Sequence, residues 1–368
     1  MVKPHRILIA PLDWGLGHAT RNIPLIMSLL DKGCTVIIAA DGAIKALLQH
    51  EFPNVTFLAL RGYKIKYSKR KSWFLLKIAF QVPGILLSIY REHQWLKKTV
   101  KNYSINAVIS DNRFGMYYSG IPSVYITHQL LIKTGNNFSE KLASKFHVWV
   151  IKKYTYCWVP DFEGTQNIAG QLSHPSNIPA NVKYIGCLSR FERHKRVSLK
   201  YDLLILLSGP EPQRSIFEKL LLFQLQQFDG DVLLVRGQPG IDVALFHPTG
   251  ISDNIQIKNH LTLKELNLAI EQAKIVICRS GYTTVMDLIK LQKKAILVPT
   301  PGQTEQEYLG MYLMHQKLFY CVQQDEFLLN EVLRKANGFS FLSGDYDMKQ
   351  YKKNIHQFVQ SIDANNQK

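Results

Sequence analysis

Cysteine is sparse in this 368-residue chain and shows no pattern. Five thiols, at positions 34, 157, 187, 278 and 321, form no Cys-x-x-Cys pair, and all but Cys157 sit in apolar runs. That spacing argues against a zinc ribbon or a disulfide scaffold and for buried thiols in a reducing compartment. Acidic charge is also scarce: 28 Asp and Glu stand against 45 Lys and Arg, a net charge of +17. Such an excess favours an anionic partner, whether nucleic acid, an anionic membrane or a phosphorylated substrate. No RNP-like aromatic strand and no helix-turn-helix unit free of the βα pattern accompanies it, so nucleic acid is not an expected partner. Before Arg6–Pro11, a strand-like run, there is no apolar leader or cleavage site, and cytoplasmic residence is expected. Short-period repeats and low-complexity tracts are missing as well.

What the chain does have is alternation. Short β-branched runs, among them Ile7–Leu12, Thr35–Ala40, Val55–Leu60, Ala107–Ser110, Ser123–Thr127, Tyr156–Val159 and Val182–Ile185, are separated by helical patterns. The pattern restarts with Leu203–Leu207, Val232–Val235, Ile255–Ile257, Ile275–Cys278, Ala295–Val298 and Phe319–Val322. Near-continuous apolar runs of this kind suit parallel strands covered on both faces, and strand–helix alternation implies βαβ units. The expected fold class is α/β, with two Rossmann-like domains at about 1–188 and 200–345. The polar, basic stretch 189–199 is expected to link them, and 346–368 to form a helical tail with Tyr351, Ile355, Phe358 and Ile362 on one side.

Ligands of open α/β sheets bind outside the carboxyl ends of the strands, so those loops come first. The first strand runs into Asp13-Trp14-Gly15-Leu16-Gly17-His18-Ala19-Thr20-Arg21 and then a helix. Gly15 and Gly17 allow a tight turn and a close ligand approach at the helix N-terminus. Thr20 stands where a dinucleotide fingerprint wants a third small residue, and Asp41 could hold a ribose, so an NAD-type reading survives only weakly. His18, at the mouth of a glycine loop, is better suited to acid–base or polar ligand work than to a core. The fourth strand ends at Asp111 and the fifth at His128-Gln129, so Asp13, His18, Asp111 and His128 are expected at one set of strand ends. Taken singly, each of these residues suits an N-cap or loop hydrogen bond at least as well.

In the second domain the run Cys278-Arg279-Ser280-Gly281-Tyr282-Thr283-Thr284-Val285-Met286-Asp287 leads a strand into a helix whose N-terminus can face a diphosphate. Asp287, about two turns in, could accept ribose hydroxyls. A Pro-containing turn then leads to Gln303, Gln306 and Glu307, whose groups suit sugar hydroxyls.

These motifs resemble the donor site of the MurG-type GT-B glycosyltransferases, and the Gly-Leu-Gly-His-Ala-Thr-Arg loop resembles the N-terminal glycine loop of the same superfamily. The resemblance implies a GT-B fold, two Rossmann-like domains facing each other across a cleft with a C-terminal helix. It also implies a UDP-sugar donor, an acceptor that is lipid-linked or otherwise membrane-borne, and inversion at the anomeric carbon. Position by position it assigns Asp287 to the donor ribose, Gln306 to the donor sugar, Arg190 to the donor phosphates and Thr262-Leu263 to the base. Glu307 replaces a second glutamine, which leaves the sugar open. Ser208-Gly209 begins the loop where the family holds phosphate, but Pro210 and Pro212 remove N–H donors from it. With Gly17, Ser280, Gly281, Thr284 and Gln303, these make up the expected donor-binding set. His18, Asp13 and Asp111 are the candidate bases, and His128 and Gln129 the acceptor-side groups. No metal site or cofactor is expected. Two other readings share the nucleotide site: a UDP-sugar epimerase of the same shape, and a non-catalytic nucleotide-sugar binder.

Residues 61–91 carry eight cationic side chains and no acidic one. Within them, Trp73 to Tyr90 is apolar but broken by Lys77 and Pro83-Gly84, which suits two short interfacial helices rather than a bilayer span. Core helices behind a solvated basic turn are a comparable reading. Lys69, Arg70, Trp73 and Phe74 are the expected contacts with an anionic membrane surface, placing the protein peripherally on the inner face of the cytoplasmic membrane.

Overall fold

The computed structural model describes residues 4–13, 15–63, 74–238 and 252–366. The chain divides into two compact units. The first comprises Met1–Asn167, Gln171–Arg190 and Tyr346–Lys368, and the second Ile168–Gly170 and Phe191–Asp345.

The first unit follows the strand–helix alternation. β1 (Arg6–Pro11), α1 (Leu16–Asp31), β2 (Thr35–Ala40), α2 (Gly42–Glu51) and β3 (Thr56–Ala59) precede the long α3 (Phe74–Tyr103). Then come β4 (Ala107–Asp111), β5 (Ser123–Ile126), α4 (Asn137–Ile151), β6 (Tyr156–Val159) and β7 (Val182–Tyr184). All seven strands pair in parallel, in the order β3-β2-β1-β4-β5-β6-β7. The central strands are largely apolar because both sheet faces are covered: every residue of β4 and β5 is buried, the polar Ser110, Asp111 and Ser123 standing at their ends. One core layer gathers Leu8, Ile37, Val108 and Met116 under Leu96 and Val100 of α3.

The second unit repeats the plan with β8 (Tyr201–Leu206), α5 (Gln213–Leu225), β9 (Val232–Val235), β10 (Ile255–Lys258), α6 (Leu263–Gln272) and β11 (Ala273–Cys278). It closes with α7 (Tyr282–Leu291), β12 (Ala295–Leu297), α8 (Thr304–His315), β13 (Tyr320–Cys321) and α9 (Leu329–Asn337). Its six parallel strands run β10-β9-β8-β11-β12-β13, the same order as the first sheet. In each sheet the first strand lies beside the fourth, and the connections diverge there. The crevice at that switch point is where α/β sheets bind ligands.

One expectation is revised, and the linker and tail take definite places. The apolar stretch before Tyr90 belongs to one helix, α3, with Pro83 inside it, not to two. An internal proline costs roughly 3 kcal/mol, and α3 is anchored downstream of it by buried Glu92, Leu96 and Val100. The stretch expected as a linker is held to the second unit from Phe191 onward: Phe191 is buried, Glu192 N–H bonds the Asn267 side chain, and His194 pairs with Glu271. The tail helix α10 (Gln350–Asn366) is part of the first unit, where Tyr351, Ile355, Phe358 and Ile362 are buried and Phe358 meets Trp158 edge-on at 5.3 Å. All five cysteines are buried and none is in a disulfide.

Candidate active site

In the first unit the switch point lies between β1 and β4. Gly15, at a φ of 125° that L side chains disfavour, turns the chain off β1 into α1 and delivers His18 one turn into the helix. Asp111 ends β4. Its carboxylate is fully buried and saturated: Arg21 grips both oxygens, Asn22 Nδ2 donates to Oδ2 at 2.7 Å, and His18 Nδ1 lies 2.9 Å from Oδ1. Arg21, itself buried, also reaches His128 Nδ1 at 3.2 Å. Three side chains from one turn of α1 thus converge on a single carboxylate.

The electrostatics follow from burial and charge. Burial alone would raise the Asp111 carboxyl, but Arg21 and His18 beside it hold it well below the usual carboxylate range. Burial pushes His18 below its ordinary 6.5. Asp111 opposes that shift and Arg21 adds to it, so the imidazole is neutral at neutral pH. His18 Nδ1 lies 2.9 Å from Arg21 Nη2 as well as from Asp111 Oδ1, and in the tautomer whose Nδ1 proton is donated to Asp111, Nε2 carries the lone pair of a general base. Asp111 cannot serve as that base, because its oxygens are occupied and out of solvent. Asp13 stands on the exposed turn, its carboxylate lying over Gly62, where any Cβ would overlap it.

A second polar network fixes the loop after Asp111. Arg113, fully buried, donates to Pro11 O at 2.8 Å, Glu92 Oε1 at 2.6 Å, and the Leu60 and Arg61 carbonyls. It ties β1, the strand-three exit and α3 to the strand that carries Asp111. Asn112 takes a left-handed φ of 56°, which Asn tolerates, and accepts from Tyr125 Oη. Tyr125 in turn meets His147 Nε2 at 2.9 Å, and burial pushes His147 down to about 4. Asp41 spends its carboxylate capping α2 through Gly42 N–H at 2.9 Å, which gives it a helix-capping role.

In the second unit several expected donor residues come together past the ends of β11 and β12. Buried Ser280 donates from Oγ to Gln306 O at 2.8 Å. Gln306 Oε1 accepts from Thr300 N at 2.9 Å, and Glu307 Oε1 from Gly302 N at 2.8 Å. Gln303 is the N-cap residue of α8. Gly281 caps α7, with the Thr284 hydroxyl 4.0 Å from where its Cβ would stand, and Asp287 is buried on that helix. Arg279 underpins the layer by donating to the Val298, Pro299 and Gln213 carbonyls and stacking 4.4 Å over Phe217. Ser208 and Gly209 form the exposed exit of β8. Thr262 is farther along the sheet, in a capping box with Glu265, and Leu263 begins α6. Arg190 ends the Gln171–Arg190 segment of the first unit.

Lys69, Arg70 and Trp73 lie outside the described residues, as does the side chain of Phe74. The expectation of a metal-free site overlooked two Asp-x-Asp triplets, Asp229-Gly230-Asp231 and Asp345-Tyr346-Asp347. The first precedes β9, at the end of the strand away from these loops, with Asp231 N–H bonded to Asp202. Among the described residues no three His, Cys, Asp or Glu side chains gather as a metal ion would require.

Residues 231–363 match the glycosyltransferase family 28 C-terminal domain. The chain is 23% identical over 308 residues to the UDP-N-acetylglucosamine–N-acetylmuramyl-(pentapeptide) pyrophosphoryl-undecaprenol N-acetylglucosamine transferase of Natranaerobius thermophilus, covering 78% of each protein. Among solved structures it resembles Acinetobacter baumannii MurG, with a TM-score of 0.56, 15% identity and the whole of both chains covered. It also resembles the glycosyltransferase of kitacinnamycin, with a TM-score of 0.64, 14% identity, and 99% and 96% of the two chains covered. Twin parallel sheets in this order, with these neighbours, define a GT-B fold. The chain is a glycosyltransferase, and its likeness is to the MurG-type enzymes.

Proposed function

We propose that the protein moves a hexosyl or N-acetylhexosaminyl group from a UDP-sugar to a hydroxyl of a lipid-linked, membrane-borne acceptor. The observation that carries this reading is the neutral His18 held by Asp111 at the first switch point. His18 Nε2 takes the acceptor hydroxyl proton as the oxygen attacks the anomeric carbon. The bond from that carbon to the diphosphate oxygen breaks, and the diphosphate leaves with the electron pair. The second unit holds the donor, with the N-terminus of α7 offsetting the charge on the leaving group. Asp287 binds the ribose and Gln306 the sugar. A single displacement of this kind inverts the anomeric carbon and needs no metal.

Membrane contact is supported by α4. Phe138, Leu142 and Trp149 are exposed by 79%, 63% and 53% and fall within 40° of one another around the helix at 100° per residue. Lys141, Lys145, Lys152 and Lys153 flank them, and Lys153 Nζ sits 5.0 Å over the Trp149 ring. Aromatic side chains bordered by lysines suit the boundary between headgroup and acyl chain, each cation contributing about 1 kcal/mol at an anionic surface. Among the described residues no helix is long and apolar enough to cross a membrane.

The test incubates the protein with labelled UDP-sugars, with and without a polyprenyl-linked lipid extract. Lipid-dependent UDP release and label in the lipid fraction, both lost in His18→Ala, are expected. Epimerised UDP-sugar formed without lipid would favour the epimerase instead.

A further inference from the structure

Family-like phosphate binding after β8 is obstructed in this chain. Pro210 and Pro212 lack N–H groups. The N-terminus of α5 is also already neutralised: Glu211, beside it, accepts from Ser215 N at 3.3 Å and from Arg214 Nε at 2.6 Å. A carboxylate in that position repels a second anion. A diphosphate lying along this loop needs a donor from another strand.

Thr300, after β12, has that donor. It is 1% exposed, and its Oγ1 has no hydrogen-bond partner, although a buried hydroxyl left unpaired costs about 1–3 kcal/mol. Its backbone N–H is already used by Gln306. The hydroxyl faces Gly209. A Cβ built there would lie 3.5 Å from Thr300 Oγ1 and meet no other atom within 4 Å beyond its chain neighbours. Gly209 holds a φ of 98°, which keeps that face bare. The geometry therefore sets one unspent hydroxyl, from the loop after β12, against the bare side of a glycine in the loop after β8.

We infer that Thr300 Oγ1 donates a hydrogen bond to a diphosphate oxygen of the sugar nucleotide, replacing the N–H groups that Pro210 and Pro212 remove. The inference rests on the donor reading above. Thr300 is then a binding residue supplied by the loop after β12.

Titration calorimetry of the full chain with UDP and with uridine tests this, using Thr300→Val, which keeps the shape and removes the hydroxyl, and Thr300→Ser, which keeps the hydroxyl. Hydrogen bonds to charged groups predict a rise in the UDP dissociation constant of about tenfold or more in Thr300→Val. Thr300→Ser should stay near wild type, and uridine affinity should not change. The apo protein should melt no lower in Thr300→Val, since an unpaired hydroxyl has been removed. Undiminished UDP affinity in Thr300→Val, or a lowered melting temperature pointing to a structural bond, overturns the inference. Wild-type protein that binds no nucleoside diphosphate overturns the donor reading itself, and this inference with it.

Discussion

Replacing Asp111 by Asn separates the two tasks of its carboxylate. One is structural. The carboxylate is the only anion that Arg21 meets among the contacts described for it, and both are buried. Removing one partner of a buried pair costs about 3–5 kcal/mol. Against a typical stability of about 5–15 kcal/mol, the variant stays folded but melts roughly 6–20 °C lower. The other task is catalytic. Asn can present its NH2 to His18 and so release the imidazole from the tautomer with Nε2 free. The loss should approach the whole contribution of a positioned general base, about 10²–10⁴-fold in kcat/KM. The pH profile distinguishes the two effects. Wild-type kcat/KM should be flat at neutral pH, with an acid limb below 6.5, because burial lowers the His18 pKa. Asp111 is the group that raises it, so Asp111→Asn should push the limb to still lower pH while lowering the plateau. Stability gives a further sign. A carboxylate with a depressed folded pKa stabilises above its unfolded value of about 3.8, and that stability disappears as pH falls through the folded value. Wild type should therefore lose its advantage over Asp111→Asn only in strong acid. A folded Asp111→Asn with an unchanged plateau and an unmoved acid limb would refute the assignment of His18 as base.

Asp287→Ala should weaken UDP binding measured by calorimetry by about 1.5–3 kcal/mol, the worth of a charged hydrogen-bonding group, while leaving the His18-dependent acid limb where it was. Replacing Phe138 and Trp149 by Ser, with Lys145→Glu, should sharply reduce sedimentation with anionic vesicles. Wild-type binding should fall with added salt, and activity on a soluble acceptor analogue should be spared.

The sheets were legible because parallel strands buried on both faces are written as unbroken apolar runs. β2, β6 and β9 match their sequence runs end to end, and the remaining strands differ by one or two residues at their ends. What the pattern could not supply is strand order. That β4 lies against β1 is a matter of topology, and only that adjacency brings Asp111 to His18 while leaving Asp13 on the turn. Arg21 went unassigned for the same reason. Its one available signal is its position three residues after His18 on the same helical face, a cation directed toward the sheet among apolar neighbours. The unity of α3 was hidden because Pro83-Gly84 reads locally as a break, whereas Glu92 and Leu96, far downstream, hold the helix in place. Thr300 carried no sequence signal at all. Its unpaired hydroxyl becomes visible only once the loops after β8 and β12 are brought together across β11.

The return of α10 to the first unit has a consequence for biosynthesis. Tyr156 and Trp158 emerge from the ribosome long before Phe358, the ring that covers them. At about 5–20 residues per second, the nascent first unit waits roughly ten to forty seconds for its last helix. Throughout that interval an aromatic sheet margin is bare to chaperones and to neighbouring nascent chains. Premature termination anywhere in the second unit would leave that margin permanently uncovered, marking the fragment for disposal.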